Sequence, residues 1–114
     1  MKALPYFIGT ALILGGDAGS KDACLLFNIL HCEEPVRLLA EAARVVSPGG
    51  AVLVMHLRYD SATPRGPSME IRPRPEQIVE WAKQAGLLAG PGPVLDLPPW
   101  HYGIRFHRPL EPAR

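Results

Sequence analysis

Two short apolar runs constrain the fold of this sequence more than any other feature. Residues Ala23–Leu30 (ACLLFNIL) are continuously apolar apart from Asn28, and Ala51–Leu57 (AVLVMHL) are apolar up to His56. Because neither run alternates between apolar and polar residues, each predicts a strand that is covered on both faces, as in parallel sheets. Two parallel strands need a crossover connection, so the segment between them is expected to contain a helix.

The segment between the two runs has the features of that helix. Pro35 suits the first helical position, and the apolar residues that follow recur at helical spacing. Gly49, in a Ser-Pro-Gly-Gly sequence, can adopt the positive φ of a type II turn that stops the helix. We therefore predict a helix over about 34–47, and a second one over about 75–86 with Gly86 as its stop.

The end of the chain predicts a hairpin. Val94–Leu97 and Tyr102–His107 are short strand-like runs separated by Pro98-Pro99-Trp100, and so close a pair is expected to be antiparallel. The predicted fold class is α/β, with a mixed sheet, helices at about 34–47 and 75–86, and this C-terminal hairpin.

The N-terminal segment allows two interpretations. Met1-Lys2 and the apolar Ala3–Gly16 look like the start of a secretory signal, but Pro5 interrupts the run and a single Lys supplies the basic charge. We therefore expect a short strand at Ala11–Leu14, followed by a turn over residues 15–20.

Composition excludes several classes of function. With 114 residues the chain has room for one domain, and its net charge of +1 gives no electrostatic reason to expect nucleic acid or a membrane as a partner. Cys24 and Cys32 form neither a disulfide framework nor a four-ligand zinc site, and they suit the cytoplasm. His31, Cys32, Glu33 and Glu34 are adjacent residues that rarely converge on one ion, so no metal is expected.

Five segments, taken in order, resemble the C-terminal half of class I S-adenosylmethionine-dependent methyltransferases. They are Asp22–His31, Arg44–Gly50, Met55–Arg58, Pro75–Leu87 and His101–Gly103. In that family the first three form the fourth strand, the end of the next helix and the fifth strand. The resemblance implies a partial Rossmann-like methyltransferase sheet in residues 22–109, with residues 1–21 atypical and 110–114 a tail. It also implies transfer of a methyl group from S-adenosylmethionine to a small-molecule acceptor.

The cofactor-binding first half of the family fold has no counterpart of comparable length here. Leu12–Gly19 resembles the family's Gly-rich cofactor loop, with Asp17 in place of the middle glycine, so Gly15, Asp17 and Gly19 are candidate cofactor contacts. The alternative is a plain hairpin turn. We expect the chain alone, as a truncated form, to be a weak enzyme or an inactive one. A non-catalytic module, which dimerises or complements a partner chain through an open sheet edge, is the alternative function.

The resemblance also places two residues beside the cofactor. Phe27 and Asn28 lie where the family's fourth strand meets it, although Phe27 could equally be ordinary core. Asn28 is an amide inside an apolar strand, so it must find polar partners. His31 follows the end of the strand, where α/β sheets place ligands, and is a candidate general base. Its alternative role is a helix-entry residue that bonds to the backbone.

Four further residues are candidates for the acceptor side. His56 and Trp100 are expected to contact substrate, and His101 and Tyr102 are catalytic candidates that could line the same pocket. The arginines of the Pro- and Gly-rich loop at 58–74 either meet an anionic substrate or keep the loop in water.

Overall fold

A computed structural model of the chain describes residues 16–110. Within them lie four strands and two helices, in the order β1 (Lys21–Phe27), α1 (Pro35–Val45), β2 (Val46–Leu57), α2 (Pro75–Gln84), β3 (Leu88–Leu97) and β4 (His101–His107). The strands form one sheet in the spatial order β1-β2-β4-β3. The predicted strand at 11–14 lies outside the described residues.

The predicted strand–helix–strand unit is confirmed. β1 pairs in parallel with β2, in a register that places Leu26 opposite Val54, and α1 connects the two strands. β2 begins earlier than predicted, at Val46, because residues 47–50 bulge out of the ladder and the strand continues on both sides of them. Gly49 has the expected positive φ, 80°, and its N–H donates to the Arg108 carbonyl at 2.9 Å.

The antiparallel C-terminal hairpin is confirmed as well. β4 pairs antiparallel with both β2 and β3, so the sheet is mixed. Gly86 ends α2 with a φ of 89°, and the Leu87 N–H returns to the Ala82 carbonyl at 2.9 Å, as in a Schellman motif. The α/β fold class and the partial methyltransferase-like sheet are therefore those predicted.

The two helices cover one face of the sheet. That face carries the buried strand side chains, which include Leu26, Val52, Val54, Ile104 and Phe106. The residues between them point to the other face, because successive strand side chains alternate. Within the described range 16–110, this second face is open, so the prediction that both strands are covered on both faces is wrong for these residues.

Apolar side chains lie exposed on this open face. On β1, Leu25 is 56% exposed and Phe27 is 48% exposed; on β3, Leu95 is 50% exposed. The alternative of Phe27 as ordinary core is therefore not what the described residues show.

Candidate functional site

Asn28 joins the carboxyl ends of the two parallel strands. It follows the last residue of β1 and has a φ of 58°, a left-handed conformation that asparagine tolerates better than most residues. Its N–H donates to the Met55 carbonyl at 2.8 Å, and its side-chain Oδ1 accepts from the Leu57 N–H at 3.1 Å. The polar partner that the Asn28 side chain was predicted to need is therefore on β2. The two hydrogen bonds hold the two strand ends at a fixed spacing.

His31 and His56 meet beside this junction. His31 Nδ1 lies 3.4 Å from His56 Nε2, and the two rings are nearly perpendicular, at 82°. His56 is fully buried, and its Nδ1 lies 3.3 Å from the carbonyl oxygen of Leu57. The sequence placed each histidine near a strand end, and the structure brings them into contact.

The protonated, cationic form of both histidines is disfavoured. Burial is the main cause that lowers the pKa of His56 to about 4; the hydrogen bond to the Leu57 carbonyl opposes the shift, and the nearby His31, Arg72 and His101 add to it. Burial also lowers the pKa of His31, and the Arg72 guanidinium lowers it further. At neutral pH His56 is therefore an uncharged ring.

Tyr102 packs against the ring of His56. The two rings are stacked with centroids 6.4 Å apart, and the buried Tyr102 hydroxyl donates to the Pro73 carbonyl at 3.0 Å. Burial raises the pKa of the Tyr102 phenol. The geometry gives Tyr102 a structural role, because its hydroxyl is already committed to the backbone that precedes α2.

Arg72 organises the loop at 58–74. It is only 6% exposed, and its guanidinium donates to the carbonyls of Arg58, Asp60 and Pro67 at 2.6–3.2 Å. The interpretation of this arginine as a charge that keeps the loop in water is therefore wrong: its guanidinium is buried and holds the loop. Nothing in the sequence distinguishes it from its exposed neighbour Arg74.

A cleft of about 950 Å³ opens between this loop, α2 and the segment after β1. His31, Arg72, Tyr59 and Trp81 are among its lining residues. Tyr59 carries the Arg74 guanidinium over its ring, 4.3 Å from the centroid. The cleft therefore combines a histidine, aromatic surface and polar groups, as small-molecule sites do.

Other predicted residues lie around the cluster without joining it. His101 pairs with Leu57, so it lies at the same end of the strands as the two histidines. Its side chain, however, is on the face opposite to Tyr102. Trp100 precedes it, half-buried, and its carbonyl accepts from the Arg58 N–H at 2.8 Å. Tyr59 was missed, since an aromatic residue in a polar loop gives no specific signal.

The Gly-rich turn lies at the opposite end of β1, before its first residue. It precedes β1, whose seven residues separate it from Asn28 by roughly 20 Å. The Gly19 N–H donates to the Arg44 carbonyl at 2.8 Å, and the turn leads into a strand, not into a helix. Asp17 and Gly19 are therefore not brought together with Phe27 and Asn28, and Gly15 lies outside the described residues.

The end of β1 has features that fit part of a nucleoside cofactor. Phe27 presents a half-exposed ring on the open face, and Asn28 keeps its amide Nδ2 free of any partner among residues 16–110. A ring that can stack and an amide that can donate suit an adenosine group. In the same range, no three His, Cys, Asp or Glu side chains are grouped as a metal site, and neither helix is long and apolar enough to cross a membrane.

Comparison with known proteins bears on the family and the fold of the chain. Residues 4–54 match the Methyltransferase domain family. No curated protein shows significant sequence similarity to the chain. Among solved structures, the fold is similar to a SAM-dependent methyltransferase from Aquifex aeolicus, with a TM-score of 0.75 and 16% identity over 90% of this chain.

Two further structures show the same fold. One is a SAM-dependent methyltransferase from Methanosarcina mazei (TM-score 0.64, 14% identity, 90% of this chain and 66% of that one). The other is the cyclase SpnF (TM-score 0.66, 16% identity, 89% and 54%). The chain spans 54% of the Aquifex aeolicus protein, about half its length. The resemblance to class I S-adenosylmethionine-dependent methyltransferases is therefore confirmed: part of this chain matches their family, and its described residues have the fold of part of their domain.

Proposed function

We propose that this chain contributes the acceptor side, and one border of the cofactor site, of an S-adenosylmethionine-dependent methyltransferase that acts on a small molecule. One observation carries the proposal. Phe27, Asn28 and His31 follow one another at the carboxyl end of β1, where α/β sheets place their ligands, and His31 lines the adjoining cleft.

The three residues have distinct parts in this proposal. The Phe27 ring packs on the cofactor from the open face, and the Asn28 amide donates a hydrogen bond to it. His31 orients the acceptor from the cleft. The bound cofactor supplies an activated methyl group, so the chain's main contribution is to hold the acceptor in line with it.

The fold alone does not decide the chemistry, since a protein named as a cyclase shares it. The proposal is therefore tested by binding of the cofactor product, S-adenosylhomocysteine, measured by calorimetry. The test variant is Phe27→Ala. The matched control is Leu25→Ala, which removes a similarly exposed apolar side chain from the same strand and the same face.

We expect wild-type protein to bind S-adenosylhomocysteine and Phe27→Ala to bind it about tenfold more weakly. Loss of one stacking contact between a base and an aromatic side chain costs about 1–3 kcal/mol, and 1.4 kcal/mol is tenfold in affinity. The Leu25→Ala control should bind as wild type does. Equal losses in the two variants, or no heat with millimolar ligand, would contradict the proposal.

The non-catalytic alternative makes a different prediction for the same samples. β1 is paired on one side only within the described residues, and an open edge can pair with another chain. Light scattering at rising concentration separates the two functions. A dimer that forms without any S-adenosylhomocysteine binding favours the alternative, whereas a monomer that binds the ligand favours the methyltransferase.

A further inference from the structure

The Leu57 carbonyl determines which nitrogen of His56 carries the proton. A carbonyl oxygen can only accept a hydrogen bond, so His56 Nδ1, which lies 3.3 Å from it, must be the N–H. The ring is neutral near pH 7, because burial lowers the pKa of His56 to about 4. Its second nitrogen, Nε2, consequently has no proton and carries a lone pair that can accept a hydrogen bond.

That lone pair in turn determines the tautomer of His31. His31 Nδ1 lies 3.4 Å from His56 Nε2, and two lone pairs cannot share that contact. His31 Nδ1 must therefore carry the proton and donate it. The remaining nitrogen of the neutral His31 ring, Nε2, is left without a proton, on the side of the ring away from His56, and His31 lines the cleft.

We propose that the Leu57 carbonyl and His56 together hold His31 Nε2 as a proton acceptor, which selects a methyl acceptor with a hydroxyl or a neutral amine group. Its use in methyl transfer rests on the proposed function above. His56 is a positioning residue in this arrangement, and His31 is the catalytic residue.

The proposed step balances around His31. The acceptor's O–H or N–H proton passes to His31 Nε2, and the acceptor's electron pair forms a bond to the methyl carbon of the sulfonium donor. The carbon–sulfur bond breaks, and its electrons remain on sulfur as a neutral thioether. His31 becomes an imidazolium whose Nδ1–H still donates to His56, and it later returns the proton to water.

The surroundings of His31 keep it unprotonated before the reaction. Burial is the main cause that lowers the pKa of His31, and the positive charge of Arg72, from the loop, lowers it further. The other titratable and charged groups that line the cleft are Cys32, Glu33, Tyr59, Glu70, Arg74 and Glu76. With its pKa lowered, His31 is unprotonated at neutral pH, which is the form in which a general base can accept a proton.

The tautomers can be measured without any ligand. Long-range proton–nitrogen NMR spectra of ¹⁵N-labelled protein distinguish the Nδ1–H form from the Nε2–H form, which is the one that histidine favours in water. We expect both His31 and His56 to be in the Nδ1–H form at pH 7.5. An Nε2–H form of His31 in the wild-type protein overturns the proposal, whatever the variants do.

A variant tests whether His56 is the cause. His56→Phe keeps a ring in the buried site but removes the acceptor, so His31 should shift towards the Nε2–H form. His107→Gln, at the other end of β4, is the control and should leave the His31 signals unchanged. A folded His56→Phe protein in which His31 stays in the Nδ1–H form overturns the proposed dependence on His56.

The outcome is separable from that of the proposed function. The Nδ1–H tautomers together with no S-adenosylhomocysteine binding would leave the fixed proton acceptor in place and remove only its use in methyl transfer. With an acceptor in hand, His31→Gln should reduce kcat by about 10²–10⁴-fold while S-adenosylhomocysteine affinity stays unchanged. Unchanged kcat in His31→Gln would show that His31 is not the base.

Discussion

The buried His56 should make the fold sensitive to mild acid. Its pKa is about 4 in the folded protein, against 6.5 for an unburied histidine, so the unfolded chain takes up a proton that the folded protein resists. The stabilisation is present above pH 6.5 and is lost as the pH falls towards 4. Each tenfold difference in proton affinity is worth about 1.4 kcal/mol, so about 3 kcal/mol of unfolding free energy is at stake.

The assay is urea unfolding of wild type and His56→Gln at pH 7.5 and pH 4.5. Glutamine does not titrate, yet its amide can donate to the Leu57 carbonyl and accept from His31. Carboxylates titrate in both proteins, so their contribution cancels in the comparison. We expect wild type to lose about 2–3 kcal/mol more than His56→Gln over this interval. Parallel losses in the two proteins would refute the reasoning, because His56 would then titrate alike in the folded and unfolded states.

Two further stability predictions use the same urea assay. Tyr102→Phe should lose about 1–2 kcal/mol, because the Pro73 carbonyl is left without its buried partner; an unchanged midpoint would show that water replaces the hydroxyl. Gly86→Ala should lower the unfolding free energy by about 1–2 kcal/mol, because its φ of 89° is strained for alanine. A steric clash is not the cause, since an added Cβ there meets nothing within 4 Å. Gly90→Ala, which has equal space and no positive φ, is its control and should lose nothing; equal losses would contradict the explanation.

The regular elements were predictable where local signals agreed with the fold. The helix predicted over 34–47 is α1 at Pro35–Val45, because a proline marks its start and a Pro-Gly-Gly sequence follows its end. The last strand, predicted from Tyr102, begins one residue earlier at His101.

β3 was predicted too short for a physical reason. Its first half contains Gly90, Pro91, Gly92 and Pro93, which are all poor strand residues. The structure accommodates them as an irregular segment, because the pairing with β4 shifts register between Ala89 and Val94. The glycines and prolines are evident in the sequence. The partner strand that keeps the chain extended on both sides of them is not.

The site was predictable by position but not by contact. The rule that ligands gather at the carboxyl ends of parallel strands located His31, and the resemblance to the methyltransferase family located Asn28. That Asn28 bonds to β2, and that the two histidines touch, depends on distances between segments 25–29 residues apart in the chain. The role of Arg72 was missed because its acceptors are backbone carbonyls, which every residue has.

The bridge that Asn28 forms between the two strand ends divides the site into parts that can change separately. The spacing of the histidines depends on the strand ends, whereas the shape of the cleft wall depends on the loop that Arg72 holds. For protein engineering under the proposed function, residues 69–71, the part of that loop that lines the cleft, form a region in which size and polarity can be varied to suit different small molecules. The histidine pair serves as a constant part that need not be redesigned each time.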